Sequence, residues 1–215
     1  MIDLISVHVP KTAGHTFNTI LQQVHYDVKY DYASDDATEI LKDDIFKTDR
    51  SIAIHGHFKA KKYDSMLPSV KKVIWLRNPV DQLLAIYSHF IERNSYKMGY
   101  NYKDFVTFFT KYKDNKNITT KYMQGMQLED FYFYGIVERY NEDIVNFLTL
   151  LAKIKPIKRM AIEQGVFKNV NSSFNYMRFK DAVYNNTDNM LDFIHDYSRK
   201  DIQLYNKAVE LKKCN

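Results

Sequence analysis

The chain has 215 residues, of which 45% are hydrophobic and 27% charged, a composition typical of one globular domain with its own core. Its 31 basic and 26 acidic side chains give a net charge of +5, which favours an anionic ligand but is too small and too dispersed to indicate nucleic-acid binding. The single cysteine, Cys214, excludes an intrachain disulfide and a cysteine-based metal site.

The sequence predicts no targeting segment. The N-terminal segment MIDLISVHVPK has no basic leader, no long apolar stretch and no small-residue cleavage site, so we expect no signal peptide. No stretch approaches the roughly 18 apolar residues that cross a membrane. The sequence therefore predicts a cytoplasmic protein without a membrane span.

Short apolar runs alternate with segments of helical periodicity along the chain. In chain order, the sequence predicts a strand at 4–9, a helix at 16–24, a loop at 25–38, a helix near 38–46, strands at 51–55 and 73–76, helices at 80–92, 102–112 and 118–124, a strand at 131–137, a helix at 141–153, a strand near 157–162, an irregular segment at 165–187, and helices at 188–196 and 199–212. Such alternation is typical of one α/β domain, here residues 1–215, with a mainly parallel central sheet.

The segment Pro10-Lys-Thr-Ala-Gly14 joins the first predicted strand to a helix. Backbone N–H groups at a helix N-terminus, together with the helix dipole, bind anions and phosphate above all. Lys11 adds a cation, Thr12 and Thr16 add hydroxyl donors, and Gly14 lets the backbone approach a ligand closely. The Walker A pattern is absent. On these residues alone, an ordinary turn with an exposed lysine is an equally good interpretation.

Two more predicted strands end in residues that suit catalysis or anion binding. His55 and His57 flank a glycine, so they share one face if the strand continues. An imidazole titrates near neutrality and suits a general base, although a pair of partly buried structural histidines is the simpler interpretation. No third ligand is spaced for a metal. Arg77 ends the next strand and can grip a phosphate, or form a surface ion pair.

Taken in order, these segments resemble the motifs of sulfotransferases that use 3′-phosphoadenosine 5′-phosphosulfate (PAPS). PKTAG and its helix resemble the 5′-phosphosulfate loop, residues 54–58 (IHGHF) the His-Gly-His element, and residues 73–87 (VIWLRNPVDQLLAIY) the 3′-phosphate segment. Residues 117–125, 134–144 and the helix from Asp201 resemble later blocks. The resemblance spans most of the chain. It is closest to the carbohydrate branch, which contains the heparan and uronyl 2-O-sulfotransferases.

The resemblance implies a P-loop-like three-layer α/β fold and a role for each matching residue. His57 matches the catalytic base, His55 is expected to support it, and Lys11 is expected to stabilise charge on the bridging oxygen. The residues expected to bind PAPS or its product PAP are Lys11, Thr12, Ala13, Gly14, His15 and Thr16 at the 5′ end, and Arg77 at the 3′-phosphate. No metal is expected. The implied partner is a hydroxyl-bearing acceptor, a glycan or a small metabolite, and not a nucleic acid.

The sequence departs from the family pattern at two positions. The family serine eight residues after the arginine is Ala85 here, and Ser88, one helical turn later, is the predicted substitute in 3′-phosphate binding. His15 stands where the loop often carries serine or threonine.

Two other functions fit parts of the sequence. An ATP-dependent kinase or phosphotransferase has a similar architecture but would need the missing Walker A and an acidic metal-binding motif. A non-catalytic module that binds anionic glycans or nucleic acid fits the basic balance and the lysines 59, 61 and 62. These lysines are predicted to lie on a solvated loop, with contact to an acidic acceptor as the alternative.

Overall fold

Five parallel strands form the central sheet of the protein. The computed structural model describes residues 1–32, 36–41, 49–94, 99, 101–156, 174–185 and 189–213. The strands are β1 (Ile2–Val7), β2 (Asp27–Asp31), β3 (Ile52–Gly56), β4 (Lys71–Leu76) and β5 (Phe133–Ile136). Their order in the sheet is β2-β3-β1-β4-β5, and every paired neighbour is parallel. This confirms the predicted mainly parallel sheet.

Helices connect and follow the strands. Within the described ranges they are α1 (Gly14–Val24), α2 (Ala37–Leu41), α3 (Pro79–Asn94), α4 (Tyr102–Lys111), α5 (Ile118–Met123), α6 (Tyr140–Ala152), α7 (Phe174–Tyr184), α8 (Met190–Tyr197) and α9 (Arg199–Lys213). Short 3-10 turns lie at Lys113–Asn115, Leu128–Asp130 and Val137–Arg139.

The described residues fall into two compact units. The first unit takes its residues from Met1–Leu76 and Lys121–Asn169, and the second from Arg77–Thr120 and Val170–Asn215. The first unit therefore contains the whole sheet. The assignment of residues 1–215 to one domain stays a prediction.

The core of the first unit lies between the sheet and the helices α1 and α6. α1 buries Phe17, Ile20, Leu21 and Val24, whose spacing places them on one side of the helix. The ring of Phe17 lies 5.4 Å from the ring of Trp75 in β4 and 5.3 Å from Phe147 in α6. This packing holds the first turn of α1 against the sheet, and so fixes the turn that precedes it.

The core of the second unit is an aromatic cluster between helices. Tyr87 of α3 packs with its ring 5.2 Å from that of Phe105 in α4 and 5.7 Å from that of Phe179 in α7. Both phenylalanines and Tyr87 are almost fully buried. These contacts orient α3, the helix that follows Arg77.

Two elements were not predicted. β2 lies in the predicted loop 25–38, and α7 lies in the segment 165–187 that was predicted to be irregular. The predicted strand near 157–162 and residues 42–46 of the predicted helix 38–46 lie outside the described residues. The other predicted elements are present, with ends that differ by up to two residues.

Candidate active site

The carboxyl ends of β2, β3 and β1 place six polar or aromatic residues on one face of the sheet. In the parallel register, His55 of β3 lies opposite Ser6 of β1 on one side and Tyr30 of β2 on the other. Side chains alternate between the two faces of a strand. The next residues on the same face are therefore His57, His8 and Tyr32.

The turn between β1 and α1 has the backbone of an anion site. Lys11 and Ala13 both adopt the left-handed conformation, with φ of 64° and 61°. Such a conformation costs a non-glycine residue about 1–3 kcal/mol and is concentrated at functional sites. Ala13 precedes α1 without a side-chain cap, so no side chain of the N-cap residue occupies the first N–H groups of the helix. These groups and Lys11 suit a phosphate or sulfonate oxygen.

The side chains of the turn differ in their accessibility. The Thr12 hydroxyl donates a 2.8 Å hydrogen bond to the Val9 carbonyl and is buried, so its proton stabilises the turn itself. Thr16 is buried as well, whereas His15 is exposed and Lys11 partly exposed. A ligand contact by the side chain of Thr12 or Thr16 stays a prediction.

His8 explains why residue 14 is a glycine. A Cβ atom on Gly14 would lie 1.8 Å from Nε2 of His8, far inside any allowed contact. The His8 side chain is itself buried. The first residue of α1 can therefore approach β1 only without a side chain, a requirement that adds to the expected approach of a ligand.

We expect Gly14→Ala to destabilise the protein by about 1–3 kcal/mol, because the added methyl group overpacks the turn against His8. Combining it with His8→Ala opens the space, and the double variant should be more stable than the sum of the two single changes predicts. Urea unfolding of the four proteins measures this coupling. Strictly additive free energies of unfolding would show that the two residues do not clash.

The three imidazoles of this face are stacked, with His8 in the middle. The His8 ring lies 4.9 Å from the His55 ring at 17° and 4.3 Å from the His57 ring at 29°. Burial, followed by repulsion from His55, His57 and nearby cations, lowers the pKa of His8 to about 2. His8 is thus a neutral ring at neutral pH. His8 was not among the predicted site residues, although its place at the end of β1 beside a histidine-bearing strand was a usable signal.

The hydrogen bond that His57 makes suits a general base. Its Nδ1 lies 2.6 Å from the His8 carbonyl oxygen, which can only accept a hydrogen bond. In the neutral ring Nδ1 therefore carries the proton, and Nε2 carries the lone pair. Partial burial of the ring lowers the pKa of His57 and outweighs the hydrogen bond to His8, which raises it. The residue as a whole remains solvent-accessible.

His55 is a buried member of the stack. Its Nδ1 lies 2.8 Å from the Ser6 hydroxyl, and its Nε2 is buried with no hydrogen-bond partner among the described residues. Burial, reinforced by His57 and His15, lowers its pKa to about 3. Any support that His55 gives to His57 would pass through the ring of His8, and this role stays a prediction.

One lysine of the predicted solvated loop is only partly exposed and forms an ion pair. Lys62 Nζ lies 2.6 Å from Oδ2 of Asp31, and the Tyr63 hydroxyl donates to the same oxygen at 2.7 Å. Asp31 ends β2 and is almost fully buried. The solvated location is therefore wrong for Lys62, while Lys59 and Lys61 are exposed as predicted. The pair ties the loop that carries His57 to the end of β2.

The remaining predicted ligands belong to the second unit. Arg77 directly follows β4, and its Nη2 donates a 3.0 Å hydrogen bond to the Tyr176 hydroxyl of α7. Ala85 and Ser88 are both fully buried in α3, and the Ser88 hydroxyl has no partner in the described part of the chain. The first unit thus brings together residues 11–16 with the two histidines, whereas the roles of Arg77 and Ser88 stay predictions.

Features of metal binding and of membrane insertion are absent from the described residues. The described ranges hold no group of three or more His, Cys, Asp or Glu residues that could bind a metal ion. None of their helices has both the length and the hydropathy needed to cross a bilayer.

Comparison with known proteins shows the fold. No protein-family model matches the chain, and no curated protein matches its sequence. The structure is similar to that of mouse sulfotransferase SULT7A1 complexed with PAP, with a TM-score of 0.50 and 13% identity over 76% of this chain and 62% of the mouse chain. A sulfotransferase from Alicyclobacillus acidocaldarius gives a TM-score of 0.49 and 13% identity over 91% of this chain and 96% of that one.

The likeness to SULT7A1 shows that the chain has the P-loop-like α/β fold of a sulfotransferase, which confirms the predicted fold class. The match covers less than two thirds of the mouse protein.

Proposed function

We propose that this protein is a PAPS-dependent sulfotransferase that transfers a sulfonate group to an acceptor hydroxyl, with His57 as the general base. The observation that supports the assignment of the base most directly is the hydrogen bond from His57 Nδ1 to the carbonyl of His8. It leaves Nε2 free to accept a proton, and it ties the imidazole to the residue that packs against Gly14 at the anion-binding turn.

The chain offers distinct groups for the two ends of the nucleotide. The uncapped N–H groups of α1 and the ammonium of Lys11 would bind the 5′-phosphosulfate. Arg77 would bind the 3′-phosphate through its guanidinium, and Ser88 is the proposed replacement for the hydroxyl lost at Ala85. SULT7A1, which shares the fold, was crystallised with PAP.

The side chains divide the chemistry between them. Bound PAPS supplies a sulfonate whose sulfur bonds to the acceptor oxygen while its bond to the phosphate oxygen breaks, leaving PAP. His57 takes the acceptor's hydroxyl proton on Nε2. Lys11 stabilises the negative charge that the phosphate oxygen gains.

The resemblance of the sequence to the carbohydrate sulfotransferases makes a sugar hydroxyl the proposed acceptor, with a small metabolite as the second choice. The proposed location is the cytoplasm. A screen of glycans and small alcohols with radiolabelled PAPS would identify the acceptor.

Calorimetry with PAP and with Mg-ATP tests which nucleotide the protein binds. We expect PAP to bind without magnesium and ATP to bind more weakly, because only PAP carries the 3′-phosphate that Arg77 recognises. Magnesium-dependent binding of ATP in preference to PAP would favour a kinase instead. Binding of anionic glycans with no affinity for PAP would favour a non-catalytic module.

A further inference from the structure

Two exposed tyrosines lie beside the histidine stack and have no role so far. Tyr30 and Tyr32 expose 43% and 45% of their surfaces, and among the aromatic residues that the structure describes only Tyr26 and Tyr184 are also exposed. Tyr30 lies in β2, one of the two edge strands of the described sheet, and Tyr32 directly follows that strand. Their location next to a candidate base suggests a surface kept for a ligand.

The parallel register explains why the tyrosines face the imidazoles. Tyr30 is paired with His55, and Tyr32 lies two residues further along the same face. The Tyr32 ring lies 4.9 Å from the His57 ring at an interplanar angle of 74°. Its hydroxyl lies 3.4 Å from Nδ1 of His8. Tyr32 therefore packs edge-on against the imidazole of His57.

The tyrosine pair is ordered before any ligand arrives. The two rings are stacked, with centroids 6.2 Å apart and planes 19° apart. Gln22 of α1 donates a 2.7 Å hydrogen bond to the Tyr30 hydroxyl. Binding against such a surface loses little side-chain entropy.

The other aromatic neighbours of His57 are less exposed to solvent than Tyr32. His8 covers one face of the imidazole with its ring and occupies Nδ1 with its carbonyl. Tyr122 approaches the imidazole edge-on at 6.4 Å, and burial raises the pKa of its hydroxyl. Among these aromatic neighbours Tyr32 is the most exposed, so it offers an accessible aromatic surface beside the imidazole.

We propose that Tyr32, with Tyr30 stacked behind it, forms the wall of the acceptor subsite and stacks on the apolar face of a sugar ring. A pyranose presents a flat C–H face for an aromatic ring and hydroxyl groups at its rim for a base. This arrangement fits a ring next to an imidazole. A linear polyol has the same hydroxyls but no such face. The inference rests on the proposed function and specifies its acceptor class.

Ligand-observed saturation-transfer NMR on the full chain saturated with PAP tests this assignment. The probes are a panel of methyl hexopyranosides and, as the acyclic counterpart, sorbitol. We expect the pyranosides to receive saturation and sorbitol to receive little. Tyr32→Ala should weaken pyranoside binding by about 2- to 12-fold, and Tyr32→Phe should retain it, because the ring and not the hydroxyl makes the contact.

Tyr26→Ala is the matched control, since Tyr26 is 65% exposed, precedes β2 at its other end and packs against Arg50. It should leave pyranoside binding unchanged. If PAP itself does not bind the wild type, the proposed function fails. If PAP binds but no pyranoside does, or sorbitol binds equally well, or Tyr32→Ala binds as tightly as wild type, the stacking proposal is wrong while the sulfotransferase proposal stands.

Discussion

His57→Ala is expected to lower sulfonate transfer from PAPS by about 10²–10⁴-fold while leaving PAP affinity almost unchanged. The variant loses the Nε2 lone pair that accepts the acceptor proton, but it keeps the turn, Lys11 and the start of α1. Transfer of radiolabelled sulfonate measures the first effect, and calorimetry with PAP measures the second.

His195→Ala controls for the loss of an imidazole, because His195 is an exposed histidine of α8. It should retain full transfer and full PAP affinity. Turnover by His57→Ala at the rate of the wild type would assign the base to another residue. Loss of PAP binding together with transfer would instead indicate that His57 is needed to form the turn.

The pH profile follows from the direction of the pKa shift. Partial burial places the pKa of His57 below its ordinary value of 6.5. The neutral, basic form therefore persists as the pH falls past 6.5, and it is lost only when the pH drops through the lowered pKa. We expect transfer by the wild type to remain constant from pH 8 to about 6.5 and to decline below that range.

Lys11→Ala is expected to weaken PAP binding by about 10- to 100-fold, which corresponds to the loss of one charge-assisted hydrogen bond to a phosphate. Arg77→Ala should have an effect of similar size through the 3′-phosphate. Both values come from calorimetric titration with PAP. The free energy of unfolding of each variant, from urea denaturation, shows how much of its effect comes from contacts within the fold, such as the hydrogen bond from Arg77 to Tyr176.

Two matched variants separate binding from packing. Lys103→Ala removes an exposed lysine of α4 and should leave PAP affinity unchanged. Tyr176→Phe removes the hydroxyl that accepts from Arg77, so it tests whether an effect of Arg77→Ala arises from that contact. Wild-type affinity in Lys11→Ala would contradict the proposed 5′-phosphosulfate site.

Hydrophobic periodicity predicted most of the fold, and its two failures have physical reasons. β2 is short, and only Val28 and the end residue Asp31 are buried, so its sequence DVKYD is as polar as a loop. Its strand conformation comes from pairing with β3, which local sequence does not report. α7 did carry a signal. Tyr176, Phe179 and Val183 are buried at helical spacing, behind an Asn-rich stretch that concealed it.

Site residues that lie within one segment of sequence were predictable, whereas contacts between residues of different strands were not. Lys11 and Gly14 lie in one turn, and His55 and His57 in one element, so sequence alone places each pair. The insertion of His8 between the two imidazoles depends on the register of β1 with β3. The exposed Tyr32 depends on β2, which was missed. Contacts between strands far apart in sequence require the sheet itself.

The ion pair of Lys62 with Asp31 has a consequence for the electrostatic potential near His57. Sequence suggests three cations on the loop after β3, but one of them is neutralised internally by a carboxylate. The field available to an incoming molecule is correspondingly weaker. Polyanions therefore gain less over acceptors of low charge density, such as unsubstituted saccharides, than three exposed lysines would give them, and rates of encounter should depend less steeply on ionic strength.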